Sequence, residues 1–133
     1  MIKIFHDYCE DSAALHRHFG ITAHRVFDTQ IAHRLSKAQA GAYREADCCV
    51  SLANLMREHI PEAQDKLSTK DELKGKMAQD PAFWEKRPLS DMMKRYAADD
   101  VAHLPSLFLK LKHVEGVFEA TQRYSAYPLI NHA

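Results

Sequence analysis

The chain has 133 residues, 46% hydrophobic, 9% aromatic and 27% charged, the composition of an ordinary single globular domain. Eighteen Lys and Arg balance eighteen Asp and Glu, so no net field draws it onto nucleic acid or an anionic membrane, and any such binding has to come from a local patch. No apolar run approaches the roughly 18 residues of a membrane span, and Met1-Ile2-Lys3-Ile4-Phe5 leads into His6-Asp7 without a signal-peptide core; this argues against transmembrane and secreted classes and for an intracellular protein, cytoplasmic or nuclear.

Cys9, Cys48 and Cys49 form no C-x-x-C pair, which fits a reducing compartment. Nine histidines, among them His16, His18, His24, His33, His59, His103, His113 and His132, match no structural-zinc spacing and read as solvated or partly buried side chains. Four Gly and five Pro point to long regular elements, mainly helices.

Ile2-Lys3-Ile4-Phe5 alternates as a strand does. Asp7-Tyr8-Cys9-Glu10 has the form of a capping box, predicting a helix with Ala14, Leu15, His18 and Phe19 at helical spacing and Gly20 at its end. His24 to Phe27 reads as a second strand, and Asp28 as the cap of a helix through Ile31, Ala32 and Leu35. Strand, helix, strand, helix in this order implies parallel strands joined by a crossover, an α/β arrangement.

Ser36 to Asp47 reads as a loop or frayed helix. Ser51 to Ile60 reads as a helix stopped by Pro61, with Leu52, Leu55, Met56 and Ile60 on its apolar side. Ser68 with Asp71, and Thr69 with Glu72, are overlapping capping boxes before a helix through Leu73 and Met77. A turn around Phe83-Trp84 follows, with Trp84 expected in the core. Pro88-Leu89-Ser90 then opens a helix in which Met92, Met93, Tyr96, Ala97, Asp100, Val101 and Leu104 share one side, with a kink or restart at Pro105.

Two carboxylates stand out. Asp100 lies on the apolar stripe, one turn after Tyr96, so both project from one face. A carboxylate buried there needs a cation, hydrogen-bond donors or a metal; the other reading turns it to solvent at the stripe's edge. Asp11 lies in the first turn of its helix, where the helix dipole alone favours an acid, and also at the carboxyl edge of the strands, where α/β folds place their sites.

The blocks Phe5-His6-Asp7-Tyr8-Cys9-Glu10-Asp11-Ser12, Val26-Phe27-Asp28-Thr29-Gln30, Phe83-Trp84-Glu85-Lys86-Arg87-Pro88-Leu89 and Tyr96-Ala97-Ala98-Asp99-Asp100-Val101 resemble, in order, the ribonuclease D type 3′–5′ exonuclease domain. The stretch from Ser68 to Trp84 looks most like the branch that holds Egalitarian and the piRNA-pathway exonuclease-domain proteins, some of which serve as RNA-binding or scaffold modules. The resemblance covers about residues 2 to 112. It implies an RNase H-like α/β fold with four carboxylates and a tyrosine at the site. The family's second-motif acid falls on Asp11, and its Tyr-x-x-x-Asp motif on Tyr96 and Asp100. These imply catalytic roles for Asp11, Tyr96 and Asp100, with Asp11 and Asp100 as ligands of Mg²⁺ or Mn²⁺ and Tyr96 orienting a water. Two such ions about 3.5–4 Å apart activate water and stabilise the leaving oxygen of a phosphodiester.

The family's first motif, Asp-x-Glu on a preceding strand, occurs nowhere in the 133 residues. The expectation is therefore a fold truncated at its N-terminus, mostly helical with a short parallel strand pair: residues 1-116 as the C-terminal part of the exonuclease domain and 117-133 as a C-terminal tail. Either Met1 is internal to a longer protein or the open sheet edge is covered by a homodimer or a protein partner. Between Lys66 and Arg95, eight basic and five acidic residues give a local net charge of +3. Lys86, Arg87, Lys94 and Arg95 are the candidate contacts to single-stranded nucleic acid, RNA foremost, with a solvated helix face as the plainer reading. The function expected is a 3′–5′ exonuclease domain; the alternative is a non-catalytic RNA-binding or protein-interaction module on the same fold.

Overall fold

The computed structural model describes residues 1–66 and 68–131, with side chains described for 1–63 and 73–125. Strand β1 (Lys3–Phe5) passes through helix α1 (Tyr8–Phe19) into strand β2 (Val26–Asp28), and α2 (Thr29–Gln39) follows directly. The strands pair in parallel with Lys3 opposite Val26, Ile4 opposite Phe27 and Phe5 opposite Asp28, because a helix between two adjacent strands returns the chain in the same direction. Short α3 (Tyr43–Ala46), α4 (Leu52–His59) and a 3₁₀ segment (Pro61–Lys66) lead to α5 (Ser68–Gln79). A 3₁₀ turn (Phe83–Glu85) precedes α6 (Asp91–Ala102), α7 (Leu104–Leu111) and α8 (Val117–Asn131). The outcome is a mostly helical α/β unit with one short parallel strand pair, and among the described residues no helix is long and apolar enough to cross a membrane.

Local chemistry sets most boundaries. Ser51 accepts from the Asn54 amide and Ser90 from the Met93 amide, satisfying first-turn donors that have no partner inside the helix. Gly20, at φ 65°, returns its N–H to the His16 carbonyl and ends α1. Pro105 falls at the start of α7, so the expected kink is a break at His103 and a restart.

Phe27, Ile31, Leu55, Met56, Leu107, Leu111 and Val117 form the main core, with Phe108 and Phe118 edge-on to Phe27. A smaller cluster of Leu73, Phe83 and Met93, flanked by Met77, Leu89 and Tyr96, sits under α5 and α6. The stretch 117–125 is helical and supplies Val117 and Ala120 to the main core.

Four local expectations are corrected. Asp7 sits at φ 62° with no capping bond from its side chain, because the Asp28 carboxylate already occupies the first-turn amides of α1. The buried face of α1 is Tyr8, Ser12 and Ala13 rather than Ala14, His18 and Phe19: α8 packs on α1, and small residues permit its close approach, while Phe19 is left exposed. Residues 36–39 continue α2, and 43–46 form α3, where a loop or frayed helix is the reading from sequence. On α6 only Met93 is buried and Tyr96 half-buried; Met92, Ala97 and Val101 face outward, and Trp84 is 37% exposed instead of lying in the core. The capping boxes at Ser68 and Thr69 lie outside the described side chains.

Candidate active site

Two strand-to-helix turns, after Phe5 and after Phe27, lie side by side and are tied together by buried polar groups. The Asp28 carboxylate, 3% exposed, accepts from the amides of Asp7 (2.9 Å), Tyr8 (2.9 Å) and Gln30 (2.8 Å). One side chain thus caps both α1 and α2, and the positive ends of both helix dipoles compensate its burial. The hydroxyl oxygen of Thr121 on α8 accepts from the Asp28 amide at 3.3 Å. The Gln30 amide forms a closed pair with the backbone of Val50, donating to its carbonyl (2.9 Å) and accepting from its N–H (3.0 Å). His6 spans the same gap, with Nε2 2.9 Å from the Val50 carbonyl and Nδ1 2.8 Å from the Thr29 hydroxyl. Because a carbonyl only accepts, Nε2 carries the proton in that bond.

This knot fixes the start of α1 and with it Asp11. Burial first, then the charges of Asp7, Asp28 and Glu10, push the Asp11 carboxyl above its usual range. Such an acidic group favours either a proton or a cation.

Tyr96 and Asp100 stand together on α6. Burial first, and then the Asp100 charge, raise the Tyr96 phenol, which leaves a neutral hydroxyl at physiological pH. The Tyr96 ring lies 5.9 Å from that of Trp84, whose indole N–H points at Met77 Sδ at 3.0 Å. Asp11 lies in the first turn of α1, beside the acids of the two turns, and Asp100 lies on α6, which covers the smaller cluster.

Lys86, Arg87, Lys94 and Arg95 are all exposed. Lys86 Nζ is 2.9 Å from Asp80 and lies over the Phe83 ring. Arg87 Nη1 donates to the Trp84 and Lys86 carbonyls, leaving Nε and Nη2 as its further donors. Lys94 and Arg95 precede Tyr96 on α6 itself.

Two features escape a reading of spacing. Asp28 serves two helices, of which sequence shows only the second. His33, Glu58 and His59 meet although 25 residues separate the first two, and among the described residues they are the one group of three metal-capable side chains. Burial lowers both His33 and His59. The adjacency of Glu58 and His59 is visible in sequence; the approach of His33 is a product of α2 packing beside α4.

The family model described as 3′–5′ exonuclease matches residues 1–114. This chain belongs to that family. The exonuclease domain is 32% identical to "Ribonuclease D" of Pseudomonas paraeruginosa over 111 residues, which is 84% of this chain and 24% of that protein. It is 29% identical to "piRNA biogenesis protein EXD1" of Homo sapiens over 112 residues, 84% of this chain and 22% of the relative. The chain thus spans about a quarter of the length of the curated relatives it matches. No solved structure matches. The family fold is RNase H-like, and this chain is mostly helical with one short parallel strand pair. The family acts on nucleic acid and generally uses divalent metals. The residues present fit such an ion in kind: Asp11 and Asp100 are hard oxygen donors, and the first stands among like charges that a cation relieves.

Proposed function

We propose that this domain is a 3′–5′ exonuclease that shortens single-stranded RNA, with Asp11 and Asp100 as ligands of Mg²⁺ or Mn²⁺ and Tyr96 as the residue that orients the attacking water. The observation that carries the reading is the acidic group around Asp11, beside two helix starts locked by Asp28, together with a neutral phenol one turn from Asp100. A bound hard divalent ion supplies Lewis acidity toward a phosphodiester oxygen. Asp11 and Asp100 supply negative oxygen donors for it. Tyr96, kept protonated, offers its hydroxyl as a hydrogen-bond partner to a water, and its ring and that of Trp84 form a partly exposed aromatic surface suited to a terminal base. Lys94 and Arg95 on α6, with the remaining donors of Arg87, are exposed cations that neutralise RNA phosphates.

A second reading, an RNA-binding module without hydrolysis, is favoured by the lack of an Asp-x-Glu pair in these 133 residues. The test separates the two. With 5′-labelled unstructured RNA and Mn²⁺, the exonuclease reading expects stepwise shortening that stops in EDTA and in Asp100→Asn, and falls strongly in Tyr96→Phe. No shortening combined with salt-sensitive RNA binding that weakens in Arg87→Glu leaves the binding module; equal shortening by wild type and Asp100→Asn rejects the nuclease assignment.

A further inference from the structure

His33, Glu58 and His59 lie outside the exonuclease motifs, and the nuclease reading makes no use of them. His33 comes from α2, buried to 7% exposure; Glu58 and His59 close α4. One ligating atom of each lies within 4.8 Å of the other two, and His33 Nδ1 stands 3.8 Å from Glu58 Oε2. Two donors bound to one zinc ion at about 2.1 Å sit roughly 3.4 Å apart in a tetrahedral site. The 3.8 Å between His33 and Glu58 is already close to that spacing.

An ion-pair account covers only part of this arrangement. Lys37 Nζ lies 3.0 Å from Glu58 Oε1, which satisfies one oxygen and gives no reason for two imidazoles close to the same carboxylate. Lys37 also has a second acid within reach, Glu45 Oε2 at 3.6 Å. A groove of about 390 Å³ opens onto His33 and Glu58, with Cys48 and Cys49 in its wall, both exposed. It gives an ion a way in and leaves room for a further ligand. Imidazole nitrogens with one carboxylate suit zinc-like ions, whereas Mg²⁺ prefers oxygen donors throughout.

We propose that His33, Glu58 and His59 bind one divalent transition-metal ion of the zinc type, joining α2 to α4 at a site separate from Asp11, Tyr96 and Asp100, with the fourth position open to the groove.

The test uses the full chain, stripped with EDTA, dialysed and kept reduced, titrated with Zn²⁺ by calorimetry near neutral pH. The expected result is one tight Zn²⁺ site per chain that persists in Asp11→Asn/Asp100→Asn, a rise in melting temperature larger with Zn²⁺ than with equal Mg²⁺, and a tetrahedral absorption band with Co²⁺. Glu58→Gln and His59→Gln, each verified as folded by circular dichroism, lower the Zn²⁺ affinity about tenfold or more; the half-exposed Glu58 carries the test if His59→Gln is poorly folded. The double variant Cys48→Ser/Cys49→Ser keeps the one-ion binding. Unchanged affinity in Glu58→Gln and His59→Gln, the absence of saturable binding, or loss of binding in the cysteine variant alone overturns the proposal.

Discussion

Asp28 puts one carboxylate under two helix starts, and its removal has a cost larger than that of an ordinary cap. A cap alone is worth about 1 kcal/mol, and hydrogen bonds to a charged group about 1.5–3 kcal/mol each. Asp28→Ala leaves three amide donors short of their acceptor and is expected to lower unfolding stability by about 3 kcal/mol in a urea titration, with Asp28→Asn losing less because one oxygen remains. Asp11 behaves in the opposite sense. Its carboxyl is raised in the folded chain by burial and by Asp7, Asp28 and Glu10, so the folded state holds the proton to higher pH than the unfolded state, and stability falls as pH rises through the folded value. Asp11→Asn is therefore expected to raise the melting temperature at neutral pH, by a gain of no more than about 1 kcal/mol since the side chain is exposed, and to lose that gain in acid well below the ordinary carboxylate range, where the folded and unfolded wild type both hold the proton. Loss of RNA shortening together with that gain would mark a residue held for function at the expense of the fold. At this scale the sequence discloses each acid and its helix position. It does not disclose Asp28's second helix, because the amides of Asp7 and Tyr8 are brought to it by strand pairing and not by local spacing.

Helix α6 carries Tyr96, Asp100, Lys94 and Arg95, and its buried contribution is small: Met93 fully, Tyr96 in part. Its cap, Ser90, and the break before Pro105 are legible from residue type alone. The outward turn of Met92 and Val101 is not, since periodicity marks a candidate face without saying whether a neighbour covers it. The break leaves His103 between α6 and α7 with its Nε2 buried and, among the described residues, without a hydrogen-bond partner. An unmet buried donor or acceptor costs about 1–3 kcal/mol. His103→Leu is expected to hold or raise the melting temperature, by up to about 1 kcal/mol of stability, measured by circular dichroism; a loss of similar size would mean that the ring's packing outweighs its unmet nitrogen.

The whole molecule is a main core built on β2, α2, α4, α7 and α8, and a smaller cluster under α5 and α6. The parallel strand pair with its crossover was readable from element order, since that order permits little else. The division of the helices between two clusters was not, because it depends on which faces meet over long sequence separations. Trp84, the one tryptophan of the sequence, lies at the rim of the smaller cluster, with its ring against those of Phe83 and Tyr96. Regions with few buried apolar contacts open at lower free energy than the global transition. Tryptophan fluorescence is thus expected to change at lower urea than far-ultraviolet circular dichroism, which follows the helices as a whole. Coincident curves would show that the two clusters unfold as one cooperative unit.

The shared carboxylate of Asp28 also links two chain segments in time. The amide protons of Tyr8 and Gln30 are held by the two oxygens of one carboxylate, Tyr8 by Oδ2 and Gln30 by Oδ1, so a swing of that side chain releases both to deuterium. Isotope labelling should find them exchanging at matched rates, slowing and quickening together with temperature, although 22 positions of chain lie between them.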